Sequence, residues 1–185
     1  MGEIAQRPNV QRPDPIRVGR MPSIDGLATP KEFYTVLEAP GCLAGMVSPS
    51  DRTPWEHLLR SGFRYVVCLT DDEATYDPAP IELLHARSLE DLYGGRSPSE
   101  PTIEAARIIE AVDRVLEALR RGHGVVVHCA GGTGRTGTVI GGVLRRLGHR
   151  AADVRSYLDR LNQERGTRWP ESAWAGDLLD RIESE

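Results

Sequence analysis

One short segment constrains the fold more than any other part of the chain. Residues 124–128 (GVVVH) form a continuous β-favouring run that ends directly before Cys129, and Arg135 opens the helix-compatible segment 135–148. Three glycines, an alanine and a threonine lie between the cysteine and the arginine. A buried strand that leads through a small-residue loop into a helix is typical of a parallel sheet covered by helices.

The rest of the chain contains further strands and helices in alternation. Short β-favouring runs bounded by turn residues predict four more strands, over 33–38, 42–47, 63–69 and 81–87. Helical patterns predict four more helices, over 53–62, 101–121, 151–165 and 171–183. We therefore predict an α/β fold in which a central, twisted, mainly parallel sheet is flanked by helices.

Composition limits the domain organisation and the class of partner. Residues 1–31 contain five prolines and little apolar periodicity, which predicts a flexible N-terminal arm, and residues 32–185 suit one folded domain. The formal net charge of −4 does not favour nucleic-acid binding, and no apolar run is long enough to cross a bilayer. Three cysteines far apart in the sequence favour a reducing compartment, so we expect a cytoplasmic protein without a membrane partner. The five histidines lack metal-ligand spacing, and we expect neither a metal nor another cofactor.

The loop between Cys129 and Arg135 has the composition of an oxyanion site. Small residues allow it to curl until its backbone N–H groups point inward, at the positive end of the helix that follows. The residues expected to bind the anion in this way are Ala130, Gly131, Gly132, Thr133, Gly134 and Arg135.

Four side chains in and beside this loop are candidates for catalysis. Cys129 is the candidate nucleophile, because a helix N-terminus and a nearby cation favour the thiolate form of a cysteine. Arg135 can bind two oxyanion oxygens at once with its planar fork, which a lysine cannot do. Thr136 would place a hydroxyl near the sulfur, and His128 is expected to be buried and to hold the loop by hydrogen bonding.

The motif His-Cys, five residues and then Arg-Thr closely resembles the signature of the protein-tyrosine phosphatase superfamily. The chain is similar to its small, atypical dual-specificity branch over roughly residues 33–183, including Leu43-Ala44-Gly45 and the segment FRYVVCLTDDE. The resemblance implies a two-step hydrolysis of phosphomonoesters. The cysteine first forms a cysteinyl-phosphate, and water then hydrolyses it. Residues 32–185 would then be the phosphatase domain.

The resemblance also implies an aspartic acid upstream that protonates the leaving group and then activates water. Asp91 fits this role, because it follows the strand 81–87 and lies in a loop rich in Gly, Ser and Pro. Gly94-Gly95 would allow that loop to close over substrate. Glu90, Asp71 and Asp72 stay open as alternative acids.

Other patterns in the chain permit other interpretations. Gly132-x-Gly134-x-x-Gly137 also matches a dinucleotide-binding pattern, but no strand follows the helix as that unit requires. Trp169-Pro170-Glu171 resembles an acid-loop motif of larger relatives but lies after the signature, so Trp169 and Trp174 are interpreted as packing or rim residues. A catalytically inactive phosphoprotein-binding module of the same fold is the alternative from a different class. A weaker hypothesis makes Cys68 a disulfide partner of an oxidised Cys129.

The sequence says less about the substrate than about the reaction. The loop AGGTG contains no lysine, unlike relatives that select polyphosphorylated inositol lipids, which favours a phosphorylated protein or a simple aryl phosphate. Phosphoserine, phosphothreonine, RNA 5′-phosphate and other small phosphoesters stay open.

Overall fold

The chain folds into five strands and five helices in a computed structural model that describes residues 24–183. All ten predicted elements are present, and their ends differ from the predicted ones by at most two residues. In chain order they are β1 (Phe33–Leu37), β2 (Leu43–Met46), α1 (Trp55–Arg60), β3 (Phe63–Cys68), β4 (Glu82–Ala86), α2 (Pro101–Arg120), β5 (Gly124–His128), α3 (Gly134–Arg146), α4 (Ala151–Glu164) and α5 (Ala173–Arg181).

The strands form one sheet in the order β1-β2-β5-β3-β4. Only the β1–β2 pair at one edge is antiparallel, and the other three pairs are parallel, so the predicted mainly parallel sheet is confirmed. β5 is the central strand, and all five of its residues are buried, as expected for a strand covered on both faces. Its last residue, His128, lies beside Met46 of β2 and Cys68 of β3. The segments that follow these three strands therefore meet at one edge of the sheet.

Alternation along the strands divides the core into two layers. The larger layer contains Val125 and Val127 of β5 and is covered by α2, α3, α4 and α5. The smaller layer contains Val126 and is covered by α1 and by the segment that precedes β1. β5 thus contributes to both layers, and the residue after it lies between well-packed elements.

The segment before β1 belongs to the folded domain. Ile24 is buried to 1% exposure in the smaller core layer, and the carbonyls of Pro30 and Lys31 accept hydrogen bonds from the buried Arg165. Residues 24–31, which composition assigned to the N-terminal arm, therefore pack against the domain. The predicted arm over 1–23 lies outside the described residues. Within the described range, no helix is both long enough and apolar enough to cross a bilayer.

Candidate active site

Cys129 lies at the carboxyl end of β5, directly before the loop that leads into α3. The residue is only 2% exposed, whereas Ala130 and Gly131 beside it are exposed. Gly132 has a φ of +65°, and a Cβ atom there would lie 2.6 Å from the carbonyl oxygen of Met46. The loop therefore needs glycine at this position for two reasons, the backbone conformation and the close approach of β2.

The carbonyls of the loop from Ala130 to Gly134 all accept hydrogen bonds. Ala130 O accepts from the backbone N–H of Ser48 at 3.0 Å, and Thr133 O and Gly134 O accept from Gly137 N–H and the Thr138 hydroxyl. The carbonyls of Gly131 and Gly132 accept from residues behind the loop. In a trans peptide the N–H points opposite to the C=O, so the N–H groups of residues 131–135 face the other side. These amides and the first turn of α3 form a cup that suits an oxyanion.

Arg165 holds the back of this cup. Its guanidinium donates to Gly131 O and Gly132 O, each at 2.9 Å, although the residue follows α4, far along the chain. Tyr34 donates its hydroxyl to Gly132 O at 2.7 Å, and its ring centroid lies 4.5 Å from the Arg165 guanidinium carbon. Nothing in the sequence distinguishes Arg165 from Arg155 and Arg160 of α4, so its buried position could not be predicted.

Arg135 connects the cup to the loop after β4. Its side chain is 15% exposed, its Nη1 donates to Leu89 O at 3.4 Å, and its Nη2 lies 3.7 Å from Asp91 Oδ2. The structure therefore brings Asp91 to Arg135 in the first turn of α3. We call residues 88–100, which carry Asp91, the acid loop.

The acid loop is tied by hydrogen bonds at several points. Asp91 Oδ1 accepts from Tyr93 N–H at 3.0 Å, and Asp91 O accepts from Arg96 Nη2 at 2.8 Å. Gly95 N–H donates to the carbonyl of Glu171 at 3.0 Å. In this structure the loop is closed against the segment before α5, with the Asp91 carboxylate directed to Arg135.

The three alternative acids have other partners. Glu90 accepts from the N–H and hydroxyl of Ser99, and these bonds hold the pKa of its carboxyl below the usual value. Asp72 accepts from Ser88 N–H, and Asp71 accepts from the Thr70 hydroxyl. Of the four carboxylates considered, Asp91 is the one paired with Arg135.

Glu104, in the first turn of α2, anchors the stem of the acid loop. It is 1% exposed, and its Oε1 accepts from Glu90 N–H at 2.8 Å. Its Oε2 is buried without a hydrogen-bond partner and lies 3.8 Å from Arg107 Nη1. Burial raises the pKa of this carboxyl. The sequence predicted a helical position here, but the helical periodicity did not indicate a buried carboxylate.

His128 and Thr136 lie below the cup. His128 is fully buried, its Nε2 lies 2.6 Å from the Tyr76 hydroxyl, and burial lowers the pKa of its imidazole to about 4. The imidazole is therefore neutral at neutral pH. Thr136 Oγ1 is buried without a hydrogen-bond partner, so the predicted contact with the Cys129 sulfur is not formed. An unpaired hydroxyl in the first turn of α3 remains available to an anion.

Cys68 does not lie on the same side of the sheet as Cys129. It pairs in register with His128, and the side chains of successive strand residues point to opposite faces. The Cys68 sulfur contacts the Thr70 hydroxyl at 3.4 Å, whereas Cys129 belongs to the larger core layer. A direct Cys68–Cys129 disulfide would require one of the two side chains to move to the other face of the sheet. The hypothesis therefore fails on geometry, and Cys68 is a buried core residue.

The segment around Trp169 packs against the start of α3. Trp169 is 2% exposed, and a Cβ atom on Gly137 would lie 2.6 Å from its Cδ1. The Glu171 carboxylate lies against Gly134, where an added Cβ would overlap it. Burial and the charge of Asp91 raise the pKa of Glu171. The segment 169–171, which resembles an acid-loop motif of larger relatives, thus packs against the start of α3 and supports the cup.

No three His, Cys, Asp or Glu side chains among residues 24–183 are grouped as metal ligands. The site consists of a buried cysteine, an amide cup, an arginine and an aspartate. This set defines the class of cysteine-based phosphate-ester hydrolases.

Comparison with known families agrees with this class. A family model described as "Swiss Army Knife protein, DSP-PTPase phosphatase domain" matches residues 32–169, and the chain belongs to that family. It is a cysteine-based phosphatase of the protein-tyrosine/dual-specificity type, in the small atypical branch, as the sequence predicted.

Three solved structures illustrate the similarity. Tk-PTP in its active form is 25% identical, with a TM-score of 0.56 over 76% of this chain and 90% of that chain. Human DUSP28 is 20% identical, with a TM-score of 0.59 over 85% of this chain and 95% of that chain. PTPMT1 in complex with PI(5)P is 15% identical, with a TM-score of 0.56 over 76% of this chain and 91% of that chain.

Proposed function

We propose that Cys129 is the nucleophile of this phosphatase and that the amides of Ala130 to Arg135 bind the phosphoryl oxygens. The observation that carries the proposal is the orientation of the loop. The carbonyls of Ala130, Gly131 and Gly132 are bonded to residues behind the loop, and those of Thr133 and Gly134 are bonded within α3, directly after a buried cysteine. The amides that remain face the position of a phosphoryl group attached to the sulfur.

The first step is attack of the Cys129 thiolate on phosphorus. The bond from phosphorus to the leaving oxygen breaks, and Asp91 donates its proton to that oxygen. Arg135 binds two phosphoryl oxygens through its fork, and its contact with Asp91 keeps the acid near the leaving group. The product of this step is a cysteinyl-phosphate.

The second step is hydrolysis of that intermediate. The Asp91 carboxylate removes a proton from water, the water oxygen attacks phosphorus, and the sulfur leaves as a thiolate. The unpaired Thr136 hydroxyl is available to donate to that thiolate. His128 orders the loop through Tyr76 and transfers no proton, because a buried imidazole with a pKa of about 4 is neutral at neutral pH.

We propose a phosphorylated protein or a simple aryl phosphate as substrate. Asp71, Asp72 and Glu73 follow β3 at the same edge of the sheet as the cup, and this negative charge disfavours a polyanionic substrate. Tyr93 on the acid loop is 71% exposed and offers an aromatic contact to a peptide. A non-protein phosphoester is the second candidate, because the similar structure of PTPMT1 is a complex with PI(5)P. We expect no nucleic-acid partner, and the free thiols Cys42, Cys68 and Cys129 support a cytoplasmic location.

Changing Cys129 to Ser tests the catalytic proposal. Hydrolysis of p-nitrophenyl phosphate should fall by at least about a thousandfold, because a serine hydroxyl is not ionised at neutral pH. Binding of orthovanadate, measured by calorimetry, should persist, because the cup is unchanged. Retention of more than a few per cent of turnover would mean that the nucleophile lies elsewhere.

The wild-type protein also decides between the enzyme and the inactive binding module. An enzyme hydrolyses p-nitrophenyl phosphate, whereas a module binds phosphate without turnover. A panel of phosphopeptides, inositol phosphates and 5′-phosphorylated RNA then ranks substrates by kcat/KM. A preference for the inositol phosphates would contradict the substrate proposal and leave the catalytic proposal standing.

A further inference from the structure

We infer that Arg165 is a second cation of the active site, which acts on the bound anion through the peptide groups of the loop. It is a positioning residue that does not touch substrate. The inference rests on the proposed function of the cup and concerns how the cup attracts an anion.

The first observation is that every partner of Arg165 is a neutral oxygen. The residue is 5% exposed, and its guanidinium donates to four backbone carbonyls, one hydroxyl and one side-chain amide oxygen. These acceptors are Pro30 O, Lys31 O, Gly131 O, Gly132 O, Thr133 Oγ1 and Asn162 Oδ1. Within residues 24–183, no carboxylate forms an ion pair with it.

A buried cation without a carboxylate is unusual, because burial of an unpaired charge is costly. Arg155, in the second turn of α4 and with a side chain 35% exposed, shows the ordinary pairing with a carboxylate. Its Nε and Nη2 donate to the two Asp180 carboxylate oxygens at 2.8 and 2.6 Å. The Tyr34 ring beneath Arg165 supplies a weaker compensation of the cation–π kind. An anion on the far side of the loop would supply the opposite charge that these neutral groups lack.

The loop peptides transmit the charge of Arg165 toward the cup. The guanidinium binds the carbonyls of Gly131 and Gly132, and the N–H of each of these peptides points to the opposite side. Hydrogen bonding at one end of a peptide group polarises the other end, so these amides become stronger donors to an anion. The thiolate of Cys129 or a bound phosphoryl group is therefore the counter-charge of Arg165.

Tyr34 reinforces this arrangement from the same side. Burial raises the pKa of its phenol, so the hydroxyl stays protonated and remains a donor to Gly132 O. Tyr34→Phe removes one hydrogen bond to the loop but leaves the cation in place. It separates the effect of a lost contact from the effect of a lost charge.

The experiment compares Arg165→Met with Arg165→Lys, Tyr34→Phe and the control Arg155→Met. The Kd of orthovanadate is measured by calorimetry, and the rate of Cys129 alkylation by iodoacetamide is measured at pH 6, where only the thiolate reacts. Folding of each variant is checked by circular dichroism and thermal melting. Arg165→Met should raise the Kd by about tenfold, the effect of one charge-assisted hydrogen bond, and should slow alkylation. Arg165→Lys should stay within about threefold of the wild-type Kd, because the charge is kept.

The following outcomes would contradict the inference. A folded Arg165→Met with wild-type Kd and alkylation rate would overturn it, as would an equal effect of Arg155→Met. If Arg165→Met does not fold, Arg165→Lys decides the matter, since a folded lysine variant that loses vanadate affinity by tenfold or more would disprove a role for the charge. Failure of the proposed function is distinguishable, because it would appear as lack of turnover in the wild-type protein.

Discussion

The two loops that meet at Arg135 are built in opposite ways. The loop from Cys129 to Arg135 is bonded from behind by Ser48, which follows β2, by Tyr34 and by the buried Arg165. The acid loop lies on the surface, and Asp91 and Tyr93 are exposed. The phosphoryl group is the same in every phosphomonoester, whereas leaving groups differ. A rigid cup therefore suits the phosphoryl group, and an acid held on a surface loop suits the leaving group.

The contacts of the two loops also differ in range along the chain. The cup is held by residues that lie 98 and 34 positions away from it in the sequence, Tyr34 and Arg165. Within the acid loop, Arg96 binds Asp91 O and Glu90 binds Ser99. Other contacts fix it to the rest of the protein, among them those with Arg135, with Glu104 and with the carbonyl of Glu171. Local contacts of this kind open at a lower free-energy cost than contacts made in the core.

The largest effect is expected at Arg135, the residue that both loops share. Arg135→Lys should lower kcat/KM nearly as much as Arg135→Ala, by about a hundredfold to a thousandfold, because both changes remove the fork. Steady-state kinetics with p-nitrophenyl phosphate measure this. The control is Arg145→Lys in the same helix, which should stay within a few-fold of wild type. An Arg135→Lys variant with a tenth or more of wild-type activity would show that charge alone suffices.

The next effect is expected at Asp91. Asp91→Ala should lower kcat by about a hundredfold for an alkyl phosphate and by less for p-nitrophenyl phosphate, whose leaving group needs little protonation. The basic limb of the pH–rate profile should flatten, because no acid remains to lose its proton as the pH rises. Glu90→Ala and Asp72→Ala are the comparison variants. If either of these is crippled while Asp91→Ala behaves as wild type, the acid is misassigned.

A matched pair of glycines tests the difference in rigidity directly. Gly132 and Gly94 both have positive φ, at +65° and +79°, but only at Gly132 does the added Cβ meet backbone atoms. Gly94→Ala should cost about 1 kcal/mol of unfolding free energy, from backbone strain alone. Gly132→Ala should cost more and should weaken phosphate binding by about tenfold, because β2 must move away from the cup. Urea unfolding and phosphate inhibition measure the two effects, and equal results for the pair would mean that the cup is as compliant as the acid loop.

The difference between local and distant contacts also explains which features of the site the sequence could predict. The strand, the cysteine, the small-residue loop and the helix are consecutive, so local patterns were enough to identify the elements and the candidate residues from Cys129 to Thr136. Arg165 and Glu104 could not be found in this way. Their roles depend on contacts with Gly131 and with Glu90, which only the packing of α4 and α2 against the sheet brings about.

Sheet register explains why the hypothesis of a Cys68–Cys129 disulfide failed. Cys68 ends a strand beside β5, and from the sequence its side chain appeared close to Cys129. Which face it occupies depends on its pairing with His128, and a shift of one residue would reverse that face. The sequence alone does not contain this register, and it does not contain the order of the strands, whereas the positions of the strands and a mainly parallel sheet did follow from local patterns.

The smallest effect is expected at Glu104, where the acid loop meets the core. Glu104→Leu removes the acceptor of Glu90 N–H, so the stem of the loop loses its buried anchor. Hydrolysis of an alkyl phosphate should slow by about fivefold, and hydrolysis of p-nitrophenyl phosphate should change less, because the effect acts through Asp91. In an Asp91→Ala background the same change should have no further effect on the leaving-group dependence. Val112→Ala, in the core of the same helix, is the control for simple loss of stability.

Titration gives a second measure of this anchor. The raised pKa of Glu104 means that the folded protein keeps a proton that the unfolded chain releases. The stability that this proton contributes is complete below the unfolded pKa of about 4.5 and is lost as the pH rises through the folded pKa. Glu104→Gln retains the acceptor and cannot ionise, so its unfolding free energy should fall less than that of wild type over this range. If urea unfolding of the two proteins shows the same pH dependence above pH 4.5, the buried carboxyl does not titrate with folding. The anchor would then have to be explained by its hydrogen bond to Glu90 alone.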